Sequence, residues 1–360
     1  MKLRSMRFHQ SGMALLLVMV TIVALGILAG TFSSAMKVET RLGANMLVEP
    51  ELEWKARSAI EVVRLWLSDE VDDTPNSDSY VDIWAGGNGQ DYEAIIDKLD
   101  GLDPKQLLPV GTQVQVVDLE RYFNINRADE QILREALLVM GADAADEDTI
   151  VNSIQDWMDP DDLPRLSGVE SDFYENQFPP YYSKDGPIDD ITELLLINGI
   201  SEEMFWGSGG RSGGPRPVQE SALSDFSYEE EDGYRVGLME LFTAISDPSG
   251  LISTININTA SAQVLDLLPG IDDLIAEDIV AYRRAEEAED RVAFNSASAL
   301  QNVPSLSAVG AQQLSQMVVS KSATFRVTVD VEAGGHSARW VGILRRVNPK
   351  QIDILSLYRD

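Results

Sequence analysis

The sequence predicts an α+β protein: a long N-terminal membrane-spanning helix, a small antiparallel sheet, and a large helical domain inserted between the strands. Three observations predict it. Met13–Met36 runs 24 residues without a charged side chain. Alternating, β-rich segments stand only at Val110–Leu119 and between Ser322 and Arg346. The roughly 200 residues between those segments carry helical rather than period-two patterning.

Composition removes most chemistries at the outset. The 360 residues hold 59 acidic against 28 basic side chains, a formal net charge of −31. A chain so acidic repels phosphate backbones, which argues against bulk nucleic-acid binding. With no cysteine and only His9 and His336, disulfides, thiolate metal sites and histidine catalysis lose their residues. Hydrophobic residues at 44% are enough for real cores, and the length suggests two or three domains.

The N-terminus comes first. Lys2, Arg4 and Arg7 precede the apolar run, which as a helix reaches about 36 Å, enough to cross a bilayer. The basic flank stays cytoplasmic and the acidic remainder lies beyond the membrane. A conventional signal with Ser33-Ser34-Ala35 as its cleavage site is the competing reading, but signal cores are about 7–15 residues and this run is longer. From Lys37 to Asp69 the helical pattern persists: Val38, Leu42, Met46, then Ala56, Ile60, Val63 and Leu67 recur at three- and four-residue spacing. Pro50 lacks the N–H that would bond the Met46 carbonyl, so a kink or break is expected there.

Val110–Leu119 reads as a strand, and Ser322–Glu332 and Ser337–Arg346 as two more. Gly334-Gly335 joins the last two and supplies the positive φ of a tight hairpin. Within the insertion, Asn124-Ile125-Asn126 is echoed by Asn256-Ile257-Asn258-Thr259-Ala260. Asn126, and Asn258 or Thr259, are expected to cap the helices that follow, so two helical subdomains open with one device. Gly207–Pro217 and acidic Glu229–Asp232 read as an exposed loop; no Gly-Lys-Ser/Thr follows the glycines, so no phosphate cradle is implied.

Thr259–Arg284 resembles a helix-hairpin-helix element, which in many proteins grips DNA backbones. Here the turn is Gly270-Ile271-Asp272-Asp273, and two carboxylates stand where a phosphate would approach. Arg283 and Arg284 are followed at once by Glu286, Glu287, Glu289 and Asp290. Protein packing is the expected role, with no nucleic acid as partner.

Eleven acidic residues and one arginine lie from Asp129 to Asp162, ending in Asp156-Trp157-Met158-Asp159-Pro160-Asp161-Asp162, with Glu170 and Asp172 just beyond Gly168. Carboxylates this dense repel unless water or a cation intervenes. Oxygen ligands suit Ca²⁺, although the spacing is not that of an EF-hand. A solvated acidic turn, with Asp159 stopping a helix before Pro160, explains the same residues, and the sequence leaves both readings open. A paired-carboxylate hydrolase lacks an accompanying nucleophile or base, so no enzyme is expected and no catalytic residue is assigned.

The leader ending in Gly12, the start Met13-Ala14-Leu15-Leu16-Leu17 and the long apolar helix resemble type IV pilin-like proteins. The resemblance implies cleavage by a prepilin peptidase between Gly12 and Met13, and methylation of the new N-terminus. It also implies a glutamate at the fifth mature position, where this chain has Leu17. With DLERYFNIN, DWMDPDD, ININTA and the C-terminal strands, that departure is similar to the K-type minor pseudopilins of type II secretion systems, the general secretion pathway protein K family. Membership implies the tip of a periplasmic pseudopilus and a single-pass inner-membrane anchor with its N-terminus cytoplasmic and its bulk periplasmic. The implied partners are minor pseudopilins of the I, J and H types, the major pseudopilin, the peptidase and the inner-membrane secretion platform. It favours Ca²⁺ as cofactor, with Asp159, Asp161, Asp162, Glu170 and Asp172 as candidate ligands. The expected segments are a leader at 1–12, the N-terminal helix at 13–69, and a first pilin-like α+β segment at 70–123. Inserted helical subdomains of SAM-like or helix-hairpin-helix type follow at 124–250 and 251–320, and a closing pilin-like β segment at 321–360. A minor pilin of a type IV pilus and a membrane-tethered helix-hairpin-helix DNA-binding protein are the alternatives; Leu17 with the insertion counts against the first, and the acidic turn against the second.

Overall fold

The computed structural model describes residues 11–68, 77–86, 101–207, 234–246, 254–283 and 293–360. Most of the leader, most of the Gly207–Pro217 stretch, the acidic run Glu229–Asp232 and the residues from Arg284 to Asp290 lie outside the described residues. In chain order, the principal elements begin with α1 (Ser11–Trp66), β1 (Thr112–Asp118), β2 (Phe123–Asn124), α2 (Glu130–Met140) and α3 (Glu147–Met158). Next come α4 (Ser171–Tyr174), α5 (Glu202–Trp206), α6 (Leu238–Leu241), β3 (Phe242–Thr243) and β4 (Ile255–Asn256). The chain finishes with α7 (Ala262–Asp266), α8 (Asp273–Arg283), α9 (Ala308–Leu314), β5 (Val318–Val319), β6 (Thr324–Ala333), β7 (His336–Asn348) and β8 (Gln351–Arg359). The class is α+β, as expected.

Leu15–Thr40 of α1 has a mean hydropathy of 2.6 and is long and apolar enough to cross a membrane. The helix runs on through Pro50 as one element to Trp66. The expected break is therefore absent, because a proline costs its helix one bond and the turns on either side hold. Beyond Pro50 one face is buried: Leu52, Ala56, Ala59, Ile60, Val63 and Leu67 are each 2% exposed or less. That stripe lies on an antiparallel sheet of order β1-β6-β7-β8, against Phe325, Val327, Val329, Val331 and Leu344. The approach is close. A Cβ on Gly342 of β7 would lie 3.0 Å from the Ile60 Cδ1.

Ala333 pairs with His336, so the β6–β7 hairpin turns on Gly334 and Gly335, both at positive φ. A side chain at Gly334 would also meet the Val48 Cγ2 at 2.9 Å. Strand β8 was not expected from the sequence. Its apolar phase changes midway, from Ile352 and Ile354 to Leu355 and Leu357, because Leu355 is the extra residue of a bulge between the Leu344–Ile354 and Ile343–Ser356 pairs.

Leaving β1, the chain enters the helical region and returns at β6. This region has its own apolar cluster, which includes Phe123, Ile132, Ile154, Trp157, Tyr174, Phe242 and Phe294. The two asparagine motifs share a local structure. Each begins with a two-residue parallel pair, β2 with β3 and β4 with β5. The capping expectation needs correction, however. Helix α2 is capped by Asp129, and α7 by Ser261. The first asparagine of each motif caps the turn inside it: the Asn124 Oδ1 accepts from the Asn126 N–H, and the Asn256 Oδ1 from the Asn258 N–H, both at 2.9 Å. The second asparagine reaches across the fold, where its amide serves both groups of one distant peptide position. Asn126 does this at Ile188, with bonds of 2.7 and 2.8 Å, and Asn258 at Phe294, with bonds of 2.8 and 3.1 Å.

In the helix-hairpin-helix turn Gly270 is at positive φ and Asp272 caps α8 through the Ile275 N–H. Arg283, rather than pointing outward, donates to the Ile257 and Ala260 carbonyls of the preceding motif.

Candidate metal centre

Helix α3 carries apolar residues inward and acids at its end. It stops at Met158, Asp159 is extended, and Pro160 supplies no N–H to continue the ladder. Asp156, in the last turn, has no exposed surface. It accepts from the Arg165 backbone N–H at 3.1 Å and from the Arg165 guanidinium at 2.6 Å. The same guanidinium holds the Asp159 Oδ2. One arginine thus folds the DWMDPDD loop back on its own helix. Gly168 is needed for that return, since a Cβ there would lie 1.9 Å from the Asp156 Oδ2.

The returning chain delivers Glu170 to the interior. It is 5% exposed, and neither carboxylate oxygen meets a hydrogen-bond donor in good geometry. The Asp159 Oδ1 is buried and unpartnered in the same way. Around Glu170 stand Asp162 and Asp185, and one carboxylate oxygen from each of the three lies within 4.8 Å of the others. Asp185 takes φ +53°, a left-handed conformation, and its Oδ1 accepts from the Ser183 hydroxyl at 2.7 Å, which also contacts the Ser171 hydroxyl. Burial first, and the Asp156 carboxylate next, push the Glu170 carboxyl up to about 7.

Of the five acids expected as ligands, the fold brings Asp162 and Glu170 together, with half of Asp159 unengaged. Asp161 accepts from the Leu163 N–H at 3.0 Å and shapes its own turn. Asp172 lies exposed in the first turn of α4. Neither Asp161 nor Asp172 belongs to the triad of converging oxygens. Asp185 was missed; its one sequence signal was an Asp-Gly dipeptide, which reads first as a turn.

The donor set fits a hard cation. Two oxygens bound to one Ca²⁺ at about 2.3–2.6 Å stand at most about 5 Å apart, and the triad meets that limit without rearrangement. Zinc prefers nitrogen and sulfur donors, and His336 stands on the β6–β7 hairpin. Glu170 is buried, and its oxygens are left by the protein to a cation or to water.

Comparison with known proteins matches this architecture. The family model "Type II secretion system (T2SS), protein K" covers residues 114–206, and a helix-hairpin-helix model covers residues 252–318. A protein K counterpart from Escherichia coli K12 is 27% identical over 220 residues, 56% of this chain and 61% of that one. The type II secretion system protein K of Klebsiella pneumoniae is 23% identical over 213 residues, again 61% of its length. The chain therefore spans about three fifths of the length of these curated relatives. A chain in the crystal structure of the GspK–GspI–GspJ complex from enterotoxigenic Escherichia coli shares the fold at a TM-score of 0.58 and 16% identity, over 89% of this chain and 99% of that one. An apolar helix laid on a small antiparallel sheet, with a helical region grown out after the first strand, defines a pilin-like fold with an insertion. Within that class, the chain is similar to the type II secretion system protein K family, whose model matches residues 114–206.

Proposed function

We propose that this chain is a minor pseudopilin that caps the tip of the periplasmic pseudopilus of a type II secretion system and so supports export across the outer membrane. The observation that carries the reading is Leu17, on an apolar helix that has no carboxylate from Leu15 to Met36. A subunit inside a filament can offer a carboxylate to the amine of the subunit above; this one has none to offer, and its helical insertion obstructs stacking on that side. A carboxylate in a membrane helix is costly unless it is partnered, and a terminal subunit has no need of it. The similar chain comes from a GspK–GspI–GspJ complex, which supports minor pseudopilins of the I and J types as neighbours; the proposal adds the H type and places these contacts along Val38–Leu67.

In this proposal the chain is inserted in the inner membrane with its N-terminus cytoplasmic and is cut between Gly12 and Met13. The prepilin peptidase, the major pseudopilin and the inner-membrane platform are its other contacts. Mass spectrometry of the mature protein should find a methylated chain beginning at Met13. A chain beginning near Met36, or long filaments formed by this protein alone, would overturn the reading.

Calcium belongs to the same proposal. Asp162, Glu170 and Asp185, with the remaining Asp159 oxygen and backbone carbonyls, would hold an ion that offsets their mutual repulsion and ties Pro160–Asp185 to α3. Extracellular calcium sites bind at about 10⁻⁴–10⁻³ M, so occupancy would follow the calcium around the assembly. Calorimetry showing no heat with millimolar calcium would reduce the cluster to an acidic turn.

A further inference from the structure

Among the described residues the two apolar clusters do not merge. One joins α1 to the sheet, the other fills the helical region, and they share no residue. Between them stands a buried polar hub centred on Asp118, the last residue of β1, 2% exposed. The Asp118 Oδ2 accepts from the Thr259 hydroxyl at 2.6 Å, the Ser322 hydroxyl at 2.7 Å and the Asn256 amide at 2.9 Å. Its Oδ1 accepts from the Glu120 N–H at 2.9 Å. Asn256 and Thr259 belong to the second asparagine motif of the helical region; Ser322 lies on the return to the sheet.

A second carboxylate extends the hub toward the membrane helix. Asp78 has no exposed side-chain surface and forms a two-point ion pair with Arg346 of β7, at 2.6 and 2.9 Å. Arg346 also donates to the Leu67 carbonyl, just past the end of α1, at 3.0 Å. The outgoing and returning strands are joined directly, since the Glu120 carboxylate accepts from the Thr324 N–H at 2.8 Å.

We infer that this hub is a rigid joint, fixing the helical region in one orientation on the sheet and α1 so that the two halves move as one body. Apolar contact is non-directional and permits sliding, whereas hydrogen bonds to buried charge hold distance and angle together. The bonds converge on two carboxylates from separate stretches of chain, at the place where the chain crosses between halves. A displacement of the helical region would break several of them at once and leave buried charge unsatisfied. The inference stands independently of the proposed function.

The chain has no cysteine, so a spin-label pair can be introduced cleanly. Gln113→Cys on β1 and Gln312→Cys on α9 are both exposed. Pulsed electron–electron double resonance on the detergent-solubilised full chain should give one narrow distance. Thr259→Val with Ser322→Ala removes two donors to Asp118, and Asp118→Ala removes the acceptor. Each should at least double the width of the distribution while near-UV circular dichroism shows both cores intact. A hub that only stabilises would lower the melting temperature and leave the width unchanged, and that result would overturn the inference. A broad distribution in the unaltered chain would overturn it as well. If Asp118→Ala does not fold, the milder double variant decides alone.

Discussion

Two carboxylate clusters lie in this protein, one buried throughout and the other buried only at Glu170, and they are opposites. Around Asp118 and Asp78 the carboxylate oxygens meet backbone amides, hydroxyls, an amide side chain and a guanidinium. Around Glu170 two oxygens, and a third from Asp159, meet no donor in good hydrogen-bond geometry among the described residues. A fold that satisfies its buried charge has used that charge for structure. A fold that gathers carboxylates and leaves them bare has left room for something the chain itself does not provide. Substitutions should therefore have opposite signs in the two places.

The largest effect is expected at the hub. Arg346→Ala leaves Asp78 charged and buried with the Ser322 N–H but without its cation, and breaking such a buried pair costs about 3–5 kcal/mol. Thermal melting of the detergent-solubilised chain should show a large drop. In the acidic triad, Glu170→Gln without calcium should leave the melting temperature level or raise it, because a destabilising charge is gone. Equal losses from both variants would break the comparison.

Calcium comes next. An ion that binds only the folded chain adds about 2.7 kcal/mol at a hundred times its dissociation constant. Millimolar calcium should raise the melting temperature above that in EGTA, and Glu170→Gln or Asp185→Asn should abolish most of the rise. Arg346→Ala should keep it, since the hub contributes no ligand.

Acidity sharpens the contrast by a smaller amount. With its carboxyl pushed up to about 7 from an ordinary 4.5, Glu170 binds a proton more tightly in the ion-free fold than in the unfolded chain. Its stabilising contribution is complete below pH 4.5 and is lost as the pH rises through 7. In EGTA, Glu170→Gln should therefore flatten the fall in melting temperature over that interval. Asp118 is raised too, by burial first, with Thr259 and Ser322 pulling it back; its portion of the slope should be the same with calcium as without.

The smallest effects are expected at two acids the triad excludes. Asp161→Asn and Asp172→Asn should shift stability by no more than about 0.5 kcal/mol, as exposed substitutions usually do. Calorimetry should find calcium affinity within about twofold of the unaltered chain, and a tenfold loss in either would require a different ligand set.

Much of the architecture was legible because periodicity is local. The apolar run, the Ala56–Ile60–Val63–Leu67 stripe, the strand before Leu119 and the Gly334-Gly335 hairpin could each be read from residues a few places apart. Strand β8 was not legible because the bulge at Leu355 switches its alternation. The asparagine motifs were recognised as a pair, yet their second asparagines reach Ile188 and Phe294, partners 62 and 36 residues away. Capping was the local guess, and the tertiary bond prevailed.

By itself, then, the sequence determined the membrane-spanning length of α1, the α+β class, and the place along the chain where acid concentrates, since all three depend on composition and near-neighbour spacing. Which acids meet was decided only in three dimensions. Arg165 turns the loop back on α3, Gly168 lets it approach, and Asp185 arrives from beyond α4, so that Asp162 and Glu170 gain a third partner while Asp161 and Asp172 turn to solvent. The hub at Asp118 is likewise a tertiary product. Its donors come from up to 204 residues away along the chain, and no local pattern records that an aspartate ending a strand will be buried and fully bonded.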